Sequence, residues 1–344
     1  MIEVISLVQF FIERDNHFVI DVRSPVEFKQ GHIPGSYNVP LFADDERSQI
    51  GLIYKNAGVE KAVKLGESFA LPKIEEYLRK LSGISTEKEV IVLCSRGGMR
   101  SQRFSQLLDE KGYRVLRLEE GYKSYRHFIL ESFSYNYPLV ILGGKTGSGK
   151  TEILVELENK KEQVLNLEKM ANHRGSAFGS IGMGPQPTTE QFENHLFEKV
   201  KTFDLEKRIW VEDESINIGR VYIPKNFYEQ MKSAPLIILE MDKRFRVDRL
   251  CTDYSSDGLN PLKEGISKIQ KRLGHERVQA SLKALDEGDI PTAASIILQY
   301  YDKCYSFGIT KKTNIQIEYF STETGNPTDI AEKLLHQFPF DEKR

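Results

Sequence analysis

The chain predicts an α/β protein of two parallel-sheet units, the second carrying a helical lobe. Three observations point there. Short β-branched runs alternate with amphipathic helical stretches up to about residue 130, and a second cycle of the same alternation starts at PLVILGG (138–144). From Pro261 to about Phe307 only helical periodicity remains. At roughly 150 residues per domain, the 344 residues make two: 1–134 and 135–344, with the lobe at about 260–308.

Taken in order, HFVIDV (17–22), EVIVLCS (89–95) and YRVLRLE (113–119) read as buried strands. SFALPKIEEYLRKL and SQRFSQLLDEKG between them read as amphipathic helices, and helical crossovers join strands that lie parallel. The second unit runs through PLVILGG, EQVLNL (162–167), RIWVEDE (208–214) and PLIILEM (235–241), and closes with IQIEYF (315–320). The boundary is expected at 131–137.

Forty-eight basic and fifty acidic side chains leave a net charge of −2, so a nucleic-acid partner would be held by a local basic patch. The first twenty residues carry Glu3, Glu13, Arg14 and Asp15 and read as no signal peptide; no apolar run approaches the ~20 residues of a membrane span. Cys94, Cys251 and Cys304 are odd in number and far apart, which fits reduced thiols of a soluble cytoplasmic protein. Cys251 and Cys304 read as structural.

Cys94 ends a predicted strand and is followed by Arg96, Gly97, Gly98 and Arg100 before a helix begins. Paired glycines let amide hydrogens turn inward, and the helix start adds its positive end. A sulfur held there should ionise readily, with Arg96 or Arg100 as cationic neighbours and Arg100 the better placed to close the ring. This loop, with DVRSPVEFKQGHIPGSYNVP (21–40) upstream, resembles the rhodanese superfamily. The resemblance implies that Asp21, Arg23, Glu27, Gly31, His32, Ile33, Gly35 and Pro40 brace the loop, and that Cys94 carries a persulfide or a selenium analogue. Many single-domain rhodaneses have four residues between cysteine and arginine. Cys94 to Arg100 encloses five, the count of dual-specificity phosphatases, which suits a phosphate-like ligand.

GKTGSGKT (144–151) matches G-x-x-x-x-G-K-[ST] between a strand and a helix, the context of a P-loop. Gly144, Gly147, Ser148 and Gly149 would turn amides toward a diphosphate, Lys150 would reach the outer phosphate, and the Thr151 hydroxyl is placed for Mg²⁺. Asp213 is the favoured acidic partner for the metal, with Glu212, Glu214 and Asp242 as rivals. The segment EKMANHRGSAFGSIGMGPQPTTEQFENHL, headed by His173 and Arg174, reads as a mobile loop able to close over a substrate.

A rhodanese-like unit before a P-loop NTPase-like unit resembles the tRNA 2-selenouridine synthase family over nearly the whole chain. CSRGGMRS at Cys94, GGKTGSGKT at Gly143, ANHRGSAFG at Ala171 and VEDES at Val211 carry the likeness, with Tyr300, Tyr301, Asp302 and Tyr305 in the lobe. It implies modification of a wobble 2-thiouridine in tRNA: S-geranylation with geranyl diphosphate at the P-loop, then exchange of the geranylthio group for selenium from selenophosphate at Cys94. Cys94 would either form a perselenide or help bind the donor. Arg244, Arg246, Arg249, Lys271 and Arg272 could track the tRNA backbone, and Tyr300, Tyr301 or Tyr305 could stack on a base. Rival readings are a sulfurtransferase fused to a small-molecule kinase, a phosphatase on the Cys94 ring, and a nucleotide-gated binding module.

Overall fold

The computed structural model describes residues 1–84, 87–255 and 258–339, in two compact units, Met1–Ser132 and Phe133–Arg344. The first unit runs β1 (Ile2–Ile5), α1 (Leu7–Glu13), β2 (Phe18–Asp21), α2 (Pro25–Gln30), β3 (Tyr37–Asn38), α3 (Asp44–Ala57), α4 (Val59–Ala70), α5 (Ile74–Ile84), β4 (Glu89–Leu93), α6 (Met99–Glu110), β5 (Arg114–Leu118) and α7 (Gly121–Ser132). Its sheet is wholly parallel in the order β1-β5-β4-β2-β3. The three expected strands form its centre because they are apolar on both faces: Val90, Ile91, Val92 and Leu93 of β4 are all buried. The edges β1 and β3 were not read from sequence, since IEVI is mostly exposed and the YN pair is two residues long. The expected helix at SFALPKIEEYLRKL is broken by a 3-10 turn, Leu71–Lys73, where Pro72 cannot continue the backbone ladder.

The second unit runs β6 (Leu139–Gly144), α8 (Lys150–Asn159), β7 (Gln163–Leu165), α9 (Leu167–Ala171), α10 (Thr189–Val200), β8 (Ile209–Glu212), β9 (Asn217–Ile218), β10 (Val221–Tyr222), α11 (Lys225–Ser233), β11 (Leu236–Met241), α12 (Lys243–Ser255), α13 (Leu259–Lys268), α14 (Gln270–Leu273), α15 (His275–Asp286), α16 (Ile290–Thr310), β12 (Ile317–Thr322) and α17 (Pro327–Gln337). The parallel order β12-β11-β6-β8-β7 puts β6 in the middle, so the P-loop leaves the carboxyl end of the central strand. β9 and β10 make a separate antiparallel hairpin. Helices α13 to α16 form the lobe around its own core, which includes Ile266, Leu273, Leu285 and Ala293. No described helix is long and apolar enough to cross a membrane.

Candidate active sites

Cys94 sits just past the end of β4, and the next residues bend until α6 starts behind Gly98. Gly98 offers no side chain to cap α6, and the backbone N–H groups of Ser95, Arg96, Gly97 and Gly98 have no acceptor among the described residues. A second turn holds this loop from behind. Tyr122 N–H donates to the Cys94 carbonyl at 2.8 Å and Lys123 N–H to that of Ser95 at 3.0 Å, while Arg117 donates to the Gly97 carbonyl. Gly121 has φ +60°, and a Cβ there would overlap the Cys94 carbonyl oxygen, so only glycine fits.

The upstream signature braces the loop through charge. Arg23 is buried, donates to Asp21 at 2.6 Å and to the Gly31 carbonyl at 2.7 Å, and lies 3.8 Å over the Tyr122 ring. His32 stacks on Phe28 with centroids 3.9 Å apart, a structural place for it. One expectation is corrected. The Arg100 guanidinium does not close over the sulfur but binds both Glu27 carboxylate oxygens, at 2.5 and 3.1 Å. Burial works to raise the Glu27 carboxyl, and the Arg100 hydrogen bond and charge outweigh it and hold it below the ordinary value. Arg96 is exposed on the loop. Cys94 itself is 3% exposed, and its Sγ lies 3.2 Å from Ser101 Oγ and 3.9 Å from the Gly98 carbonyl. The sulfur is therefore the floor of the loop, and the groups it touches, the Ser101 hydroxyl and the Gly98 carbonyl, are polar and uncharged.

In the second unit the P-loop walls a cleft of about 490 Å³. Gly144, Gly147, Ser148, Gly149, Lys150 and Thr151 all line it, together with Arg174, Asp213, Glu214 and Arg249. Lys150 Nζ rests on the Gly144 carbonyl at 3.2 Å, and α8 starts at Gly149 without a side-chain cap. The Thr151 hydroxyl donates to Glu168 at 2.9 Å. Burial, then the Glu168 charge, pushes the Glu212 carboxyl up to about 8 and Glu214 well above its ordinary value. Glu212 Oε2 accepts the Leu167 N–H at 2.9 Å; its Oε1 is buried with no partner among the described residues.

Four expectations change here. Asp213 is engaged by Lys312 at 2.6 Å, and Asp242 accepts the Arg244 N–H at the start of α12, so neither carboxylate is the one that meets Thr151. Glu168 is, and it was missed because it opens the segment read as a mobile loop, where no acidic metal partner was sought. Arg246, expected on tRNA, is 2% exposed, pairs with both Asp302 oxygens at 2.8 and 2.7 Å, and donates to the Thr146 carbonyl at 3.1 Å. Arg249 likewise donates to the Gly147 and Gly325 carbonyls at 3.1 and 2.7 Å. Both hold the P-loop in place; Lys271 and Arg272 remain exposed.

The ANHRG segment is tied down. Asn172 and Gln186 side chains bond to the Pro185, Ala171 and Ile218 carbonyls, and Phe178 is buried in the lobe core. His173 is a buried ring packed against Gly179 and Gly219; burial lowers its pKa, and it does not line the cleft. Arg174 does. Tyr301 and Tyr305 also line the cleft, while Tyr300 packs edge-on against Tyr301.

A buried cysteine loop on one parallel sheet and a complete P-loop on another define a two-unit protein, rhodanese-like first and P-loop NTPase-like second. Residues 7–127 match the family profile of the rhodanese-like domain, and residues 137–337 that of the tRNA 2-selenouridine synthase AAA domain. The chain belongs to the tRNA 2-selenouridine synthase family. Relatives of that name from Sulfurovum sp. (strain NBC37-1) and Shewanella denitrificans are each 33% identical, over 87% and 86% of this chain and 91% and 89% of theirs. One from Shewanella sediminis is 35% identical over 86% of this chain and 89% of its own.

Proposed function

We propose that the protein converts a wobble 2-thiouridine of tRNA to 2-selenouridine through an S-geranyl intermediate, using geranyl diphosphate and selenophosphate. What supports the reading is that one chain holds a cysteine loop and a P-loop at the carboxyl ends of two central strands, in the order its family shares. At the P-loop, Lys150 and the loop amides hold the diphosphate. The thiocarbonyl sulfur attacks the allylic carbon, and the carbon–oxygen bond breaks with its electron pair leaving on the diphosphate. Among the described residues no three His, Cys, Asp or Glu side chains converge as a closed metal site. Mg²⁺ commonly takes one or two protein oxygens and completes its shell from phosphates and water. Thr151, Glu168 and Glu214 fit that pattern: the Thr151 hydroxyl bonds Glu168, and burial with the Glu168 charge holds the Glu214 carboxyl well above its ordinary value despite the nearby Lys150. When bound, the ion would neutralise charge on the departing diphosphate.

At Cys94 the amides of Ser95 to Gly98 hold the phosphate of selenophosphate. Its selenium attacks C2 of the base, the geranylthiolate leaves, and water then cleaves the selenium–phosphorus bond. Selenium in selenophosphate is already fully reduced, so a Cys94 perselenide with phosphate as product would need an added oxidant. Donor binding above a polar, buried sulfur needs none. The test is mass spectrometry of tRNA nucleosides after incubation with geranyl diphosphate and selenophosphate, separately and together. S-geranyl-2-thiouridine with the first donor alone and selenouridine with both support the pathway. Product from selenophosphate alone, or from neither, refutes it.

A further inference from the structure

We infer that the helical lobe holds the hydrocarbon tail of the diphosphate donor, a reading that rests on the P-loop being a diphosphate cradle. Beside the P-loop cleft lies a cavity of about 50 Å³ walled by Phe178, Leu262, Ile266, Ala294, Ile297 and Leu298. It shares Thr146, Ser176, Leu250 and Tyr301 with the cleft, so the diphosphate cradle and the apolar cavity have a common wall. No charged side chain lines it; its only polar residues are Thr146, Ser176 and Tyr301 on that wall. A nucleobase would find few hydrogen-bonding partners there, whereas a hydrocarbon finds only matching surface.

Helix α16 supports the same reading. It spans 21 residues, IPTAASIILQYYDKCYSFGIT, yet only Ala293 and Leu298 are fully buried, and Ile290, Ile297, Tyr300 and Tyr301 are only partly covered. An apolar helix left half-covered next to a phosphate cradle is what a ligand with an anionic head and an apolar tail would complete. The terminal carbons of the tail enter the cavity, and those nearer the diphosphate lie along the Thr146–Tyr301 wall. Chain length is then selected by the lobe, and the diphosphate by the P-loop.

The test is calorimetric titration of the full chain with Mg²⁺ and inorganic, dimethylallyl, geranyl or farnesyl diphosphate, or ATP. Each methylene taken out of water changes affinity about fourfold, so with roughly three to four of its five extra carbons buried, geranyl diphosphate should bind on the order of 100-fold more tightly than dimethylallyl diphosphate. Ala294→Phe, which fills the cavity, should bring geranyl affinity down toward that of inorganic diphosphate and leave the latter unchanged. Ile297→Ala, which enlarges it, should shift preference toward the longer farnesyl chain. Affinity independent of chain length, a folded Ala294→Phe variant with unchanged geranyl affinity, or ATP binding more tightly than geranyl diphosphate would each overturn the lobe assignment. If neither inorganic nor geranyl diphosphate binds, the reading of the P-loop fails as well.

Discussion

Glu212→Gln should change how stability depends on pH, with a sign and size set by the floor of the P-loop. In the fold, burial first and the Glu168 charge second push this carboxyl to about 8, against an ordinary value of 4.5. The folded state therefore keeps a proton that the unfolded chain has released. Stability from this group is fully present below about pH 4.5 and is lost as pH rises through about 8, with a slope of ~1.4 kcal/mol per pH unit between. That amounts to a few kcal/mol, with ~5 kcal/mol as a ceiling. Glutamine stays neutral and can still accept the Leu167 N–H, so the variant lacks this slope and should be the more stable protein above neutrality. The chain has one tryptophan, and Trp210 is fully buried on β8 two residues from Glu212. Its fluorescence in urea titrations from pH 5 to 9 reports unfolding of the second unit directly. Wild-type and variant curves that run parallel across that range would refute the argument.

Gly121→Ala should lower selenium incorporation at least ~10-fold while S-geranylation stays near wild type, because a Cβ would displace the Cys94 carbonyl it faces; nucleoside mass spectrometry reads both steps. Asp302→Ala leaves the Arg246 guanidinium buried and unpaired, and should cost about 3 kcal/mol in Trp210-monitored unfolding and weaken inorganic diphosphate binding. Glu168→Gln should remove most of the gain in diphosphate affinity that Mg²⁺ provides, whereas Lys312→Met, which releases Asp213, should not. Titrations with and without Mg²⁺ decide between them, and the opposite pattern would return Asp213 to the metal.

The strands that carry both loops were legible because they are among the most apolar runs in the chain, and the loops because glycine, lysine and cysteine at fixed spacing have few other uses. The partners of those loops were not. Arg100 bonds with Glu27 across 73 positions, Arg246 with Asp302 across 56, and Lys312 with Asp213 across 99. No local period relates such residues, so a cation near a motif in sequence cannot be told from one that braces it. Arg246 and Arg249 show the cost: they sit among exposed basic residues in sequence and fold inward onto carbonyls of the P-loop. Glu168 was hidden for the same reason, and the ANHRG segment looked mobile because its glycines outweighed Phe178, the residue that anchors it in the lobe.

The most direct measurement supplies each variant with tRNA already carrying S-geranyl-2-thiouridine, together with selenophosphate, and assays selenouridine. Lys150→Ala should make it at close to the wild-type rate, having lost only the geranyl step, and Cys94→Ala, which removes the buried sulfur beneath the donor-binding amides, should make it at least ~10-fold more slowly while still geranylating 2-thiouridine tRNA from geranyl diphosphate. Selenouridine at the wild-type rate from Cys94→Ala, or equal loss of both steps in Lys150→Ala, would contradict the division of chemistry between the two cradles.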